Sequence, residues 1–467
     1  MNHITIAVEA LSVYAGATQL LGPITFSLPT GRSLVIMGET GAGKSLLAQA
    51  ILGTLPDGLH STGTIHLNGQ RIDQLSPQER SRFWGRDVAI LPQEPWRALD
   101  PLMYAAAQVQ ESYRFVAGLT RSNAAAATQS DFNALELHGN ERRLPRTLSG
   151  GMAQRVAFAA ATAADAPILI ADEPTKGLDT QRSAKIISLL TEKPNQGGAL
   201  ITITHEASVA RQLGGDILVL KSGTLIESGS TTEVLNNPSE DYTQQLLNAE
   251  PRAWPKQASS SRGDLLLNAE NLSIYRGGKC LLEDFSLELY ANERIAITGP
   301  SGVGKTSLLD VLAGINQPEK GRVTRNSSVI QTGIQKLYQD PPAAFPNKVS
   351  LEKSLRDVAR LHSVDWSVVL EYLSELGIHP SLMDRRPDAV SGGELQRISI
   401  ARALTANPTV LLADEPTSRL DPITQRETLA MIADIASERG IAVLLVTHDL
   451  DIAEKWADRH YTLHSPL

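Results

Sequence analysis

The chain has 467 residues, enough for two domains that each bury a full core. Its net charge of −8 supplies no overall basic field for nucleic acid, and Cys280, the only cysteine, excludes an intrachain disulfide or a thiolate metal cluster. No apolar run reaches the roughly 18–20 residues that span a bilayer, and no basic start precedes an apolar block at the amino terminus, so a soluble, cytoplasmic protein is expected.

The opening MNHITIAVEALSVY alternates as a strand does. RSLVIMG (Arg32–Gly38) is a short β-rich run, and GETGAGKSLL (Gly38–Leu47) follows with the spacing Gly-x-x-x-x-Gly-Lys-Ser/Thr. KSLLAQAIL then has helical apolar spacing. Strand, glycine-rich loop and helix form the context in which that spacing cradles phosphate. Gly38, Gly41 and Gly43 let backbone N–H groups close on an anion at the helix N-terminus. Lys44 is expected to reach the β- and γ-phosphates and Ser45 to bind Mg²⁺. NAAAAT (Asn123–Thr128) is alanine-rich and expected to be helical. In ILIADEP (Ile168–Pro174), four apolar residues predict a strand buried on both faces that delivers two carboxylates at its end. Adjacent strand residues point oppositely, so Asp172 is expected at Mg²⁺ and Glu173 as the general base for the attacking water.

EPRAWPKQASSSRGD (Glu250–Asp264) reads as a linker. The expected division is a first domain over 1–250, a linker over 251–263 and a second domain over 264–467. The second half repeats the first. Tyr14 lies 30 residues before Lys44 (44 − 14), and Tyr275 lies 30 before Lys305 (305 − 275). Ser149 and Ser391 each lie 23 residues before an aspartate, Asp172 and Asp414. Gly299, Gly302, Gly304, Lys305 and Thr306 form the second phosphate loop, and VLLADEP supplies Asp414 and Glu415. The arm between varies: Lys44 to Gln93 spans 49 residues, Lys305 to Gln339 only 34.

LSGGMAQR (Leu148–Arg155) and VSGGELQR (Val390–Arg397), taken with the loops and the DEP strands, resemble the signature sequences of ATP-binding-cassette ATPases over nearly the whole chain. Ser-Gly-Gly before a helix is a second anion-binding N-terminus. The resemblance implies an α/β fold of two tandem nucleotide-binding domains, each with a mixed sheet core and a helical signature subdomain, using ATP and Mg²⁺. It implies that each ATP lies between halves: Lys44 with Ser391, Gly392 and Gly393, and Lys305 with Ser149, Gly150 and Gly151. It also implies that Tyr14 and Tyr275 stack on adenine. Gln93 and Gln339 would sense the γ-phosphate and metal and contact a membrane partner. His205 and His448 would be the switch histidines, acting with Glu173 and Glu415, while Asp179 and Asp421 would communicate across the pair. Met152, Glu394, Val390, Lys176, Gly177 and Arg419 depart from the common pattern without removing a phosphate ligand or base, so both sites are expected to hydrolyse ATP. Lys176 and Arg419 are expected to be interface tuning or solvated charge.

GETGAGKS, PQEPWRALDP (Pro92–Pro101) and VLNNPSEDYTQQLLNAEPRAWP (Val234–Pro255) are similar to segments of oligopeptide, dipeptide and nickel importer ATPases. Pro238, Tyr242, Thr243, Leu246 and Leu247 fit the tail pattern; Glu240 and Asp241 stand where His-Pro is common. The cysteine cluster of many relatives is absent beyond this tail, which rules out an iron–sulfur site there. The resemblance implies an importer subunit on the cytoplasmic face of the inner membrane. Its partners would be two transmembrane permease subunits and, through them, an extracytoplasmic substrate-binding protein, with no nucleic acid. The alternative is a tandem cassette acting on the ribosome, whose long charged linker the short segment 251–263 does not match.

Overall fold

The computed structural model describes residues 4–464 except 177, 179, 259, 260, 301, 328, 331, 332 and 419. Contacts divide the chain into two units, Met1–Leu247 and Asn248–Leu467.

The strands of the first unit are β1 (Ile4–Ala15), β2 (Thr18–Pro29), β3 (Ser33–Met37), β4 (Leu59–Leu67), β5 (Gln70–Arg71), β6 (Val88–Leu91), β7 (Ile168–Asp172), β8 (Ala199–Thr204), β9 (Asp216–Lys221) and β10 (Thr224–Ser230). They form an antiparallel sheet of order β2-β1-β4-β5 and a second sheet of order β10-β9-β3-β8-β7-β6. In β2 only Leu21, Ile24 and Leu28 are buried, one face of an antiparallel strand whose other face is wet. In β3, β7 and β8 every residue is buried, as parallel strands covered on both faces require. One core gathers Ile6 and Val8 of β1, Ile36 of β3, Ile65 of β4, Ile170 of β7 and Leu47 and Ile51 of the helix Lys44–Leu52. That helix is thereby clamped between the two sheets. Thr120 caps the expected alanine-rich helix, Arg121–Ala134.

The second unit repeats the plan with β11 (Leu265–Arg276), β12 (Lys279–Tyr290), β13 (Arg294–Thr298), β14 (Lys320–Arg325), β15 (Ile334–Leu337), β16 (Val410–Asp414), β17 (Ala442–Val446) and β18 (Arg459–Thr462). Its sheets run β12-β11-β14 and β15-β16-β17-β13-β18. Between β15 and β16 come the helices Leu351–Leu361, Trp366–Glu375 and Gly392–Leu404, packed through Leu355, Val369, Leu373, Leu395 and Ile398.

The start of the expected linker is docked onto the second unit. Trp254 is buried in the core that holds Leu395 and Ile398, and its indole N–H donates to the Ala249 carbonyl at 2.8 Å. Arg294 donates to the Ala258 carbonyl at 2.8 Å while paired with Asp458 at 3.0 Å. Proline and serine gave this stretch the composition of a tether, but one large apolar side chain with a place to bury outweighs it.

In both units the parallel sheet presents its carboxyl ends along one edge. β3, β6, β7 and β8 lead to Lys44, Gln93, Asp172 and His205, and β13, β15, β16 and β17 lead to Lys305, Gln339, Asp414 and His448. That edge is where open α/β sheets place ligands.

Candidate functional site

β3 ends at Met37 and the chain turns at Gly38, where a Cβ would stand 2.2 Å from the Leu220 carbonyl oxygen. Only glycine allows that approach. Gly43, at φ 94°, opens the helix Lys44–Leu52, and Gly53 closes it at φ 75°. The second loop has the same build, with Gly304 at φ 107° before the helix Lys305–Ala313 and Gly299 held against Leu463. Gly41 and Gly302 share φ 84°. The lysines are folded across their own loops. Lys44 Nζ donates to the carbonyls of Gly38 and Glu39 at 2.8 and 2.9 Å, and Lys305 Nζ to those of Gly299 and Pro300 at 2.7 and 3.2 Å. Glu39 is held by Tyr242 of the helix Asp241–Asn248, so two segments that resembled importer sequences meet in space.

Ser45 Oγ donates to Asp172 Oδ2 at 2.8 Å. Asp172 Oδ1 is buried and has no hydrogen-bond partner among the described residues. A hydroxyl and a carboxylate oxygen left over at the mouth of a phosphate loop are hard donors of the kind Mg²⁺ takes. Burial raises the Asp172 pKa and the neighbouring Glu173 charge raises it further, against the Ser45 hydrogen bond and the Lys44 charge. A bound cation would relieve both causes. In the second unit the Asp414 pKa is likewise raised, first by burial, with Lys336 and the Thr306 hydrogen bond opposing.

The expectation that aspartate and glutamate would point oppositely by strand alternation is corrected. β7 and β16 end at the aspartates, and Glu173 and Glu415 adopt the left-handed conformation at φ 50° and 46°. Each still donates its N–H to the neighbouring strand, to Ile203 and Val446 at 2.9 and 3.0 Å. The two carboxylates are set apart by this kink, which costs about 1–2 kcal/mol for a non-glycine residue.

Glu173 lies beside His205 at the end of β8, with Nδ1 2.8 Å from Oε1 and 2.7 Å from Oε2. Burial alone would raise the glutamate pKa and lower the histidine pKa. Their mutual attraction and hydrogen bond reverse both, leaving Glu173 below and His205 above their ordinary values. Glu415 is set more loosely. His448 Nδ1 is 3.5 Å and Lys305 Nζ 3.8 Å away, while Gln339 Nε2 donates to Oε2 at 3.1 Å. Gln93 does not match Gln339. It is exposed and makes no side-chain hydrogen bond among the described residues. Lys176 is half-buried, and its charge is the smallest of the influences on Asp172, Glu173 and His205.

Ser149 caps the helix Gly150–Thr162 by accepting from the Met152 N–H at 3.3 Å. Ser391 caps Gly392–Leu404 with a reciprocal box in which Glu394 accepts from the Ser391 N–H at 2.8 Å. Asp421 caps the helix Pro422–Arg439, accepting from the Thr424 N–H at 3.1 Å; Asp179 and Arg419 lie outside the described residues. Tyr14 and Tyr275 are half-buried on β1 and β11. The Tyr14 ring stacks on His60 with centroids 5.5 Å apart and planes at 19°. Tyr275 faces Cys280 of β12 as its cross-strand partner.

Sequence reading missed His60, the Tyr242–Glu39 tie and Lys336 on β15. The signal for the last was present: IQKLYQ carries lysine where VAILPQ carries Ile90.

A family model described as ABC transporter matches residues 21–176 and again 282–418. The chain is 29% identical to the peptidoglycan transport ATP-binding protein YejF of Agrobacterium fabrum, over 97% of this chain and 90% of that protein. It is 29% identical to the glutathione import ATP-binding protein GsiA of Escherichia coli, over 93% and 80%. Among solved structures, the RNase-L inhibitor superposes with a TM-score of 0.67 at 22% identity, over 97% and 87%, a likeness of fold.

Proposed function

The chain belongs to the ABC transporter family, as an ATPase with both cassettes in one polypeptide, and on that premise we propose that it is the energy-coupling subunit of an importer for small peptide-like solutes. The observation that carries this reading is the near-full-length similarity, fused cassettes included, to proteins named for glutathione import and peptidoglycan transport. Both names denote peptide-containing molecules. No helix among the described residues is long and apolar enough to cross a membrane, so two separate permease subunits form the path. The subunit docks on their cytoplasmic face through surfaces beside Gln93 and Gln339, and a binding protein delivers the solute from the far side.

At each site the lysine of the loop binds phosphate, and the Ser45–Asp172 or Thr306–Asp414 pair would hold Mg²⁺. When bound, the ion offsets phosphate charge during transfer. Glu173 accepts the proton of the attacking water while His205 fixes the carboxylate, and Glu415 with His448 does the same in the second half. The loop of each half is completed by the Ser-Gly-Gly helix of the other, Lys44 by Ser391 and Lys305 by Ser149.

Copurification from solubilised membranes tests the reading. Two hydrophobic permease subunits should accompany the protein, and in proteoliposomes its ATPase should rise with loaded binding protein and fall in Glu173→Gln. Sedimentation with ribosomes and none with membranes would overturn import in favour of the ribosomal alternative. Ser391→Arg should silence turnover at the Lys44 site, mapped by photolabelled peptides; loss at the Lys305 site instead would overturn the crossed arrangement.

A further inference from the structure

The side chain of Lys336 is 7% exposed, and its ammonium lies 2.7 Å from Asp310 Oδ1 and 3.4 Å from Asp414 Oδ2. The Tyr338 ring centroid is 5.5 Å away. Asp310 stands on the helix Lys305–Ala313, so the lysine bridges that helix to the end of β16. The first unit holds neither charge. Lys336 pairs with Leu412, two residues before Asp414, as Ile90 pairs with Ile170, two residues before Asp172. Asp310 lies five residues beyond Lys305 (310 − 305), as Gln49 lies five beyond Lys44 (49 − 44).

The contrast falls on the two aspartates assigned to the metal. Asp172 keeps a buried oxygen without a hydrogen-bond partner, the Lys44 and Lys176 charges being the smallest influences on it; Asp414 has the Lys336 ammonium at 3.4 Å. An ammonium at that distance both neutralises the carboxylate and repels a divalent ion that would share it, and in a half-buried site the repulsion is far stronger than in water. A buried ion pair adds little to stability by itself, so the Lys336–Asp310 pair has its main effect on Asp414.

We propose that Lys336 is a positioning residue that lowers the metal affinity of the second ATP site, making the two sites chemically unequal. The Lys44 site carries most metal-dependent hydrolysis, and the Lys305 site holds nucleotide with a weakly bound ion. The inference rests on the assignment of Asp172 and Asp414 as the metal aspartates.

The test uses the full chain, ATP and Mn²⁺ as the probe, with bound Mn²⁺ read by electron paramagnetic resonance. Asp172→Asn leaves only the second metal site and Asp414→Asn only the first. The first site should bind Mn²⁺ on the order of tenfold more tightly. In the Asp172→Asn chain, Lys336→Ile with Asp310→Gln, which copies the first unit, should raise affinity by about that factor. Lys336→Arg, which keeps the charge, should leave it weak. Metal-free photolabelling of the second half by an azido-ATP reports folding, and Lys336→Met with Asp310→Asn replaces the first pair if that labelling is lost. Equal affinities at the two sites, or no gain on removing the charges, overturn the proposal while sparing the site assignment. Absence of ATP-dependent Mn²⁺ binding in both single-site chains overturns the assignment and the proposal with it.

Discussion

The Tyr242 hydroxyl accepts a hydrogen bond from the Glu39 N–H and donates one to the Glu39 carboxylate, each 3.2 Å long. The tail of the first unit is therefore tied to the loop expected to hold phosphate. Tyr242→Phe removes both bonds while the ring still packs under Lys221. ATP affinity at the first site should fall by about 0.5–1.5 kcal/mol, measured by calorimetry. Unchanged affinity would reduce the tie to a structural contact.

The Glu173–His205 pair makes stability depend on pH in a calculable direction. Glu173 is lowered from 4.5, so its contribution is present above 4.5 and fades as pH falls through the folded value. His205 is raised from 6.5, so its contribution is present below 6.5 and fades as pH rises through the folded value. Both operate together between 4.5 and 6.5. In differential scanning calorimetry the melting-temperature gap between the protein and His205→Gln should be widest in that window and shrink at alkaline pH.

Two glycines of one loop should respond differently to alanine. At Gly38 the added Cβ meets the Leu220 carbonyl oxygen at 2.2 Å, whereas at Gly41 nothing lies within 4 Å and only φ 84° is strained. Gly41→Ala should cost about 1–2 kcal/mol. Gly38→Ala adds overpacking of about 1–3 kcal/mol to backbone strain. Urea denaturation without nucleotide should rank them in that order.

His60 stacks on one face of the Tyr14 ring, and adenine is expected to stack on this tyrosine. Tyr14→Ala should weaken ATP binding by about 1–3 kcal/mol. His60→Ala, which only frees the ring to turn, should weaken it by about 0.5–1.5 kcal/mol. Filter binding under non-hydrolysing conditions distinguishes these from a Tyr14 that is plain core, for which neither change matters.

What was legible in the sequence was whatever local chemistry decides. The helix Lys44–Leu52 begins and ends where it was expected because Gly43 and Gly53 stop it from both sides, and β7 was readable because its apolar run is buried on both faces. Interactions between distant segments were not legible. Lys336 meets Asp310 and Asp414, which lie 26 and 78 residues away (336 − 310, 414 − 336), only in the fold. Trp254 reads as part of a tether until the core of the second unit takes it in. The kinks at Glu173 and Glu415 depend on hydrogen bonds to the neighbouring strands, and no residue type announced them.

Those kinks set endurance against activity at a single residue in each half. At φ 50° and 46° a glycine would rest without strain, and asparagine nearly so, whereas both glutamates are held there by their surroundings. Directed evolution that rewards survival of heating alone should therefore drift to glycine or asparagine at 173 and 415. On the general-base role proposed for Glu173 and Glu415, the winners would be sturdier proteins with no carboxylate to take the proton from water.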